Sequence, residues 1–323
     1  MRAWVLKDYG HLALEERPEP GGEGLLLKVL AVGICGSDLS VYKGTPAMRA
    51  RWRPPLILGH EVAGLVEEGP AGLVGRPVAL YPALACGDCE ACRGGKPHLC
   101  PKRQHLGFHL AGGLAERIRV PEALVYPLPE GFPSWKGALA EPLAVALHAV
   151  RLAKPRSGER ALVVGGGAMG ALAAWLLNGL GVRAHLLEPQ RQRGQTLLSL
   201  GLVAAWTGEA EDLPSNTYPL VLDTVGLEAT LVQALRALAP GGRAVVVGLS
   251  GLEAPLDLQD LVLREKAVLG SYLFTPDEFQ EAITLLPGLP EALFRLWPAE
   301  RAEEAFLALL EGEVPEPKVV LVW

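Results

Sequence analysis

The sequence predicts an α/β protein in two parts, a Gly-rich β domain and a doubly wound parallel sheet. Three observations carry this. The chain has 323 residues, about twice the usual length of one domain. Its first 130 or so residues are short Val/Leu/Ile runs broken by Gly and Pro, and the middle of the chain alternates apolar strands with Ala/Leu-rich helical segments.

Met1–Lys7 reads as an alternating strand, with no apolar leader ahead of it, so the expected compartment is the cytoplasm. Leu25–Val32, Gly64–Glu68 and Arg76–Tyr81 read as further strands. After the Pro-rich stretch Pro127–Pro133 come strands at Leu162–Val164, Ala184–Leu187, Leu220–Asp223 and Ala244–Val247, with helices at Ala171–Leu180 and Thr230–Ala239 between them. Strand and helix in alternation imply βαβ units and a parallel sheet. The chain closes on helices Pro276–Leu286 and Ala299–Glu311 and a strand Lys318–Trp323.

The 22 residues between Arg160 and Arg183 carry no charge, yet they contain Val164-Gly165-Gly166-Gly167 and read as a buried strand, turn and helix, not as a membrane span. With 30 basic and 36 acidic residues the net charge is −6, and no basic run is dense enough for nucleic acid or an anionic membrane surface. Small molecules are the expected partners.

Five cysteines in a long chain of this kind argue for metal or catalysis over disulfides. Cys86-x2-Cys89-x2-Cys92-x7-Cys100 can wrap a tetrahedral Zn²⁺ as a closed, structural site. Four thiolates on a dication leave −2, which Arg93, Lys96, Lys102 and Arg103 can offset. Cys35 stands apart. With His60 and Glu61 it suits a catalytic Zn²⁺ that keeps one position open, and Glu141 offers a further carboxylate. One thiolate and one carboxylate balance the metal, so Glu61 and Glu141 are expected to share or exchange the role. On spacing alone, a buried apolar-site Cys35 and a surface His60–Glu61 pair remain open as alternatives.

Gly165-x-Gly167-x2-Gly170 follows a strand and opens a helix, and Glu188 ends the next strand. The glycines permit a tight turn and close approach of a pyrophosphate to the helix N-terminus, and the acid can take the ribose hydroxyls. This predicts a nicotinamide dinucleotide, NAD rather than NADP.

In this order the three sets resemble the zinc-containing medium-chain dehydrogenase/reductase family, especially its alcohol, polyol (sorbitol), threonine and glucose dehydrogenases. Gly107–Glu116, Glu141–His148, Gly270-Ser271 and Thr275–Phe279 extend the resemblance over nearly the whole chain. It implies a GroES-like catalytic domain, residues 1–144 and 274–323, around a Rossmann domain, residues 145–273, with substrate and nicotinamide in the cleft between them.

The resemblance makes Cys35, His60 and Glu61 ligands of the catalytic zinc and Glu141 the exchangeable ligand. It makes Ser37 the proton relay and Asp38 the carboxylate that orients His60. Met169 and Arg193 match cofactor contacts, and Val225, Gly248, Leu249, Ser271, Tyr272 and Leu273 match the nicotinamide wall. The implied reaction moves a hydride between a secondary alcohol, polyol-like or sugar-like, and NAD. A simple alcohol or ketone dehydrogenase with an apolar pocket is the rival within the enzyme class, and a non-catalytic zinc-ribbon nucleotide-binding regulator the rival outside it. The resemblance also implies a homodimer or homotetramer. Two departures stand out: Ser40 and Val41 occupy places where many polyol and threonine enzymes carry His and Tyr, and Gly201–Val221 is short enough to lack a sheet-flanking helix.

Overall fold

The computed structural model describes residues 1–251 and 253–323. The chain divides into two compact units, Met1–Glu141 with Thr275–Trp323, and Pro142–Phe274. No helix among the described residues is long and apolar enough to cross a membrane.

In the first unit a sheet runs in the order Phe294–Pro298, Lys318–Val322, Leu25–Gly33, Glu61–Glu68, Pro77–Leu80, Val125–Pro127, and Arg117–Val120 pairs with the first half of Leu25–Gly33. The central strand is apolar on both faces, with Leu27, Val29, Ala31 and Val32 fully buried. It is flanked antiparallel by Lys318–Val322 on one side and Glu61–Glu68 on the other, so that Gly33 pairs with both Val320 and Glu61. This register brings the chain's last strand to the start of the Cys35 segment. The helix Pro276–Leu285 opens on a capping box in which Thr275 and Glu278 satisfy each other's backbone N–H groups, with Pro276 at the first helical position. Its Phe279 is fully buried, with its ring 5.6 Å from that of Tyr81 and 5.0 Å from that of Tyr126.

In the second unit, six parallel strands among the described residues run in the order Ala205–Thr207, Arg183–Leu187, Arg160–Val164, Tyr218–Asp223, Leu238–Val246, Ala267–Gly270. The order reverses after Arg160–Val164, and a ligand of such a sheet binds at the carboxyl ends of the strands at that reversal. Only a short 3₁₀ turn, Ala210–Asp212, lies between Ala205–Thr207 and Tyr218–Asp223. The shortened Gly201–Val221 stretch therefore leaves no room for a flanking helix, as its length predicts. Two departures from the sequence reading have a clear local cause. The helix after Asp223 spans Glu228–Ala237 and passes directly into Leu238–Val246, because Leu238 already pairs with Tyr218 ahead of a bulge that absorbs the Pro240-Gly241-Gly242 turn signal. The edge strand Ala267–Gly270 went unrecognised, since all four of its residues are exposed and its neighbours show no alternation.

Candidate active site

Cys35 caps the helix Gly36–Lys43, and His60 and Glu61 lead into the strand Glu61–Glu68. Cys35, His60 and Glu61 each bring one ligand atom to a common point, all within 4.8 Å of one another. Asp38 ties the two segments together: one of its oxygens accepts the Cys35 N–H at 3.0 Å and the other accepts the Gly59 N–H at 3.3 Å. The second oxygen also lies 3.5 Å from His60 Nδ1, a charge contact longer than a hydrogen bond. Nδ1 itself is buried without a hydrogen-bond partner.

Glu61 is fully buried and fits only because position 33 is glycine; a Cβ there would lie 1.9 Å from Glu61 Oε2. Glu61 Oε1 pairs with the ammonium of Lys318, which also donates to the Ile34 carbonyl at 2.9 Å. Glu61 Oε2 is buried without a hydrogen-bond partner. A buried, unpaired carboxylate oxygen beside a thiol and an imidazole is what a cation would satisfy, and thiolate, imidazole and carboxylate are the ligand types zinc takes. The residues fit the metal.

Glu141, in the first turn of the helix Ala140–Ala153, is buried but lies outside that three-residue set. Burial first, and then the negative charge of Glu61, push its pKa up to about 7 against the opposing pull of His60 and Lys318. At His60 and Lys318 burial acts in the opposite sense, against protonation. It is outweighed at His60 by Asp38 and Cys35, and at Lys318 by Glu61, Cys35 and Glu141, so both stand above their ordinary pKa values. The cluster carries excess negative charge that draws protons, and a dication answers the same demand.

Lys318 was not anticipated. Its only sequence signal is a single charge heading the apolar run Lys318–Val322. It alters the charge balance inferred from sequence: with one thiolate, two carboxylates and one ammonium, a dication brings the site to neutrality, and Glu61 need not leave when Glu141 approaches.

The four remaining cysteines lie together within 4.8 Å. Their sulfurs are 3.4 Å (Cys89 to Cys92), 3.5 Å (Cys86 to Cys100) and 3.9 Å (Cys86 to Cys92) apart. These spacings exclude disulfides and bracket the roughly 3.8 Å edge of a tetrahedron built on 2.3 Å Zn–S bonds. Burial and the neighbouring Cys89 push Cys92 up to about 12, while the Cys86 N–H helps hold Cys100 below its ordinary pKa. Thiols crowded this way contend for protons that a zinc would displace.

In the second unit the glycines divide their work as the motif requires. Gly165 has φ +94° and a Cβ there would strike Val225 at 2.6 Å; a Cβ on Gly170 would lie 1.8 Å from the Gly165 carbonyl, so the helix Ala168–Gly179 packs onto its strand only through glycine. Gly167 caps that helix and faces open space, the room a pyrophosphate needs. Met169 is half-buried in the same first turn. Glu188 is buried, with Oε2 accepting the Gly166 N–H at 2.6 Å and Oε1 the Gln190 N–H at 2.8 Å. Arg193 lies on the next helix, Arg191–Ser199, its Nε buried without a partner.

Val225 and Gly248 sit on two loops that touch backbone to backbone, since a Cβ on Gly248 would lie 2.0 Å from the Val225 carbonyl carbon. Asp223 fixes the first loop by accepting the Val225 and Gly226 N–H groups, both at 3.0 Å, a role no sequence motif announces. Leu249 is exposed, and Ser271 is buried with its backbone N–H on the Val246 carbonyl at 2.9 Å. Tyr272 follows, half-buried, and Leu273 holds φ +50°, an uncommon conformation for a residue with a branched side chain.

Two family profiles match the chain: "Alcohol dehydrogenase GroES-like domain" over residues 21–130 and "Zinc-binding dehydrogenase" over residues 168–287. The chain is 33% identical to the L-threonine 3-dehydrogenase of Pyrococcus horikoshii, over 76% of this chain and 74% of the relative. It belongs to the zinc-containing medium-chain dehydrogenase family. As a member it is a zinc-dependent, NAD(P)-dependent alcohol dehydrogenase, a GroES-like domain joined to a Rossmann domain. The L-galactonate-5-dehydrogenase of Escherichia coli K12 is 30% identical over 84% of this chain and 82% of its own. A zinc-binding dehydrogenase of Sinorhizobium meliloti 1021, solved bound to NADP, is 26% identical, covers 100% of this dehydrogenase and 99% of that chain, and superposes with a TM-score of 0.87.

Proposed function

We propose that this dehydrogenase oxidises a secondary alcohol of a polyol or sugar acid with NAD, using Cys35, His60 and Glu61 as its catalytic zinc ligands and Glu141 as a further carboxylate that shares the metal with Glu61. The observation that carries the metal assignment is the unpartnered oxygen of Glu61 beside Cys35 and His60. Zinc held there supplies Lewis acidity at the substrate oxygen. Ser37, half-buried in the first turn of the helix that Cys35 caps, takes the alcohol proton and passes it outward. Asp38 keeps His60 in register, and Lys318 keeps Glu61 charged and in place. Gly165, Gly167, Met169 and Gly170 admit the pyrophosphate, Glu188 accepts the adenosine ribose hydroxyls and Arg193 flanks the adenine. Val225, Gly248, Leu249, Ser271, Tyr272 and Leu273 line the nicotinamide. Cys86, Cys89, Cys92 and Cys100 hold a second, structural zinc.

The polyol reading leans on the L-galactonate relative. A second reading, a small apolar or aryl pocket, is favoured by a different observation: Trp52 and Phe108 stack 5.2 Å apart, and the Phe108 ring lies 5.4 Å from that of His60. The experiment is kcat/KM over aldonates, polyols, threonine, 2-alkanols and 1-arylethanols. A polyol or aldonate leading the panel supports the first reading, and a 2-alkanol or 1-arylethanol leading it supports the second.

We assign the cytoplasm as the compartment, since five thiols need reducing conditions to stay ligands. We assign a homodimer, or a tetramer built from it, through the edge strand Ala267–Gly270. Val268 and Leu269 on it and Leu258, Val262 and Leu263 on the preceding helix are all exposed, an apolar sheet edge that a soluble protein covers. Light scattering of wild type against Leu269→Lys tests it, with a monomer expected for the variant.

A further inference from the structure

We propose that Trp206 is a positioning residue for cofactor choice: its indole, seated against the backbone of Gly194, locks Glu188 in the orientation that accepts an unmodified adenosine ribose. The proposal rests on the assignment of Glu188 to that ribose. Glu188 is held at four points. Its N–H donates to the Thr207 carbonyl at 3.0 Å, and its carboxylate takes the Gly166 and Gln190 N–H groups. Its own carbonyl accepts the Trp206 indole N–H at 2.7 Å. Three of these partners are backbone, so the indole is the one side chain in the set that a substitution can change.

Each carboxylate oxygen of Glu188 has already taken one backbone N–H and keeps a second acceptor direction for a ribose hydroxyl. A small rotation of the Glu188 peptide would break this arrangement, and the indole bond opposes that rotation. Trp206 lies on the strand Ala205–Thr207, paired with Leu186, so its backbone is fixed by the sheet. Its ring is fixed by Gly194. A Cβ on Gly194 would lie 2.2 Å from both Nε1 and Cε2 of the indole. Glycine is unfavourable inside a helix, and Gly194 sits in the interior of Arg191–Ser199; the indole is what requires it. The same contact pins the helix that carries Arg191 and Arg193, the two cations able to meet a 2′-phosphate. One ring therefore holds the acid that favours NAD and restrains the arginines that would favour NADP.

The test is calorimetric binding of NAD and of NADP to the zinc-loaded protein and to Trp206→Phe, Gly194→Ala, Glu188→Ala and the Trp206→Phe/Glu188→Ala double variant, with thermal midpoints measured for each. Trp206→Phe keeps the ring and removes the donor. It should lower the ratio Kd(NADP)/Kd(NAD) by about five- to tenfold, the size of one lost hydrogen bond between neutral groups, with a thermal midpoint close to wild type. Gly194→Ala should shift the ratio in the same direction, and serves as the second variant should Trp206→Phe fold poorly. The double variant should match Glu188→Ala alone, so that the shift seen in Trp206→Phe vanishes once the carboxylate is gone, whereas general loosening of the site would shift the ratio in both backgrounds. An unchanged ratio in Trp206→Phe and Gly194→Ala, alongside a collapsed one in Glu188→Ala, overturns the positioning role only. An unchanged ratio in Glu188→Ala overturns the ribose assignment and this proposal with it.

Discussion

The ammonium of Lys318 rests on one carboxylate oxygen of Glu61, and the other oxygen of that carboxylate is buried without a partner beside Cys35 and His60. Glu61 is thus shared between a fixed cation and a metal position. Lys318→Met should strip the compensation from one side and leave a buried charge exposed to nothing but the metal. Breaking such a pair costs about 3–5 kcal/mol, so urea denaturation of the zinc-free variant should show a loss of that order, while zinc, then the one cation left to answer Glu61, should be held at least as tightly on dialysis. Wild-type stability in the zinc-free variant would refute the arrangement.

Cys35→Ser removes the thiolate of the open site while leaving the fold's core untouched. Turnover should fall by a thousandfold or more, about 4 kcal/mol of lost Lewis-acid stabilisation. Elemental analysis should find one zinc per chain in place of two, with NAD affinity close to wild type. Substantial activity in a chain shown to lack the second zinc would end the metal mechanism.

Cys92→Ser acts on the other cluster, where the metal contributes to folding and not to chemistry. The expected result is a lower thermal midpoint or impaired assembly, with kcat/KM on the surviving folded fraction little changed. A variant of normal stability and altered substrate choice would assign that loop to the active site instead.

Glu188→Ala tests the cofactor. Both carboxylate oxygens already take a backbone N–H, so the side chain stands ready in one orientation. Hydrogen bonds to a charged acceptor contribute about 1.5–3 kcal/mol, and a 2′-phosphate would meet the same carboxylate as repulsion. Wild type should prefer NAD in kcat/KM, and the variant should lose most of that preference. A wild-type preference for NADP would redirect attention to Arg191 and Arg193.

His105 supplies a pH dependence. Its Nδ1 lies 2.8 Å from the Leu106 carbonyl, and burial first, then the charge of His60, push its pKa down to about 3. The unfolded chain takes up a proton near the ordinary value of about 6.5 while the folded chain does not. The stability due to neutral His105 is therefore fully present above about pH 6.5 and lost as pH falls toward 3, by up to about 1.4 kcal/mol per pH unit. Urea unfolding at pH 7, 6 and 5 should show a steeper acid loss in wild type than in His105→Gln. Parallel curves would remove His105 from the account.

Much of this was written in the order of residues. The spacing Cys86-x2-Cys89-x2-Cys92-x7-Cys100 needs only a short wrapping loop to converge, and Gly165-x-Gly167-x2-Gly170 with Glu188 needs only a strand, a turn and a helix. Local motifs of this kind are legible because the chain between their members is too short to place them elsewhere. The alternation of strand and helix after Pro133 likewise determined the parallel sheet, and the short stretch before Val221 its missing helix. What sequence could not decide depends on partners far apart along the chain. Lys318 meets Glu61 across 257 residues because the last strand pairs beside Gly33. Glu61 fits only over a glycine, and the helical Gly194 is a glycine because Trp206, on a neighbouring strand, lies across it. Charge compensation, close approach and the seating of one ring on another element's backbone are set by register and packing, which local propensity does not encode.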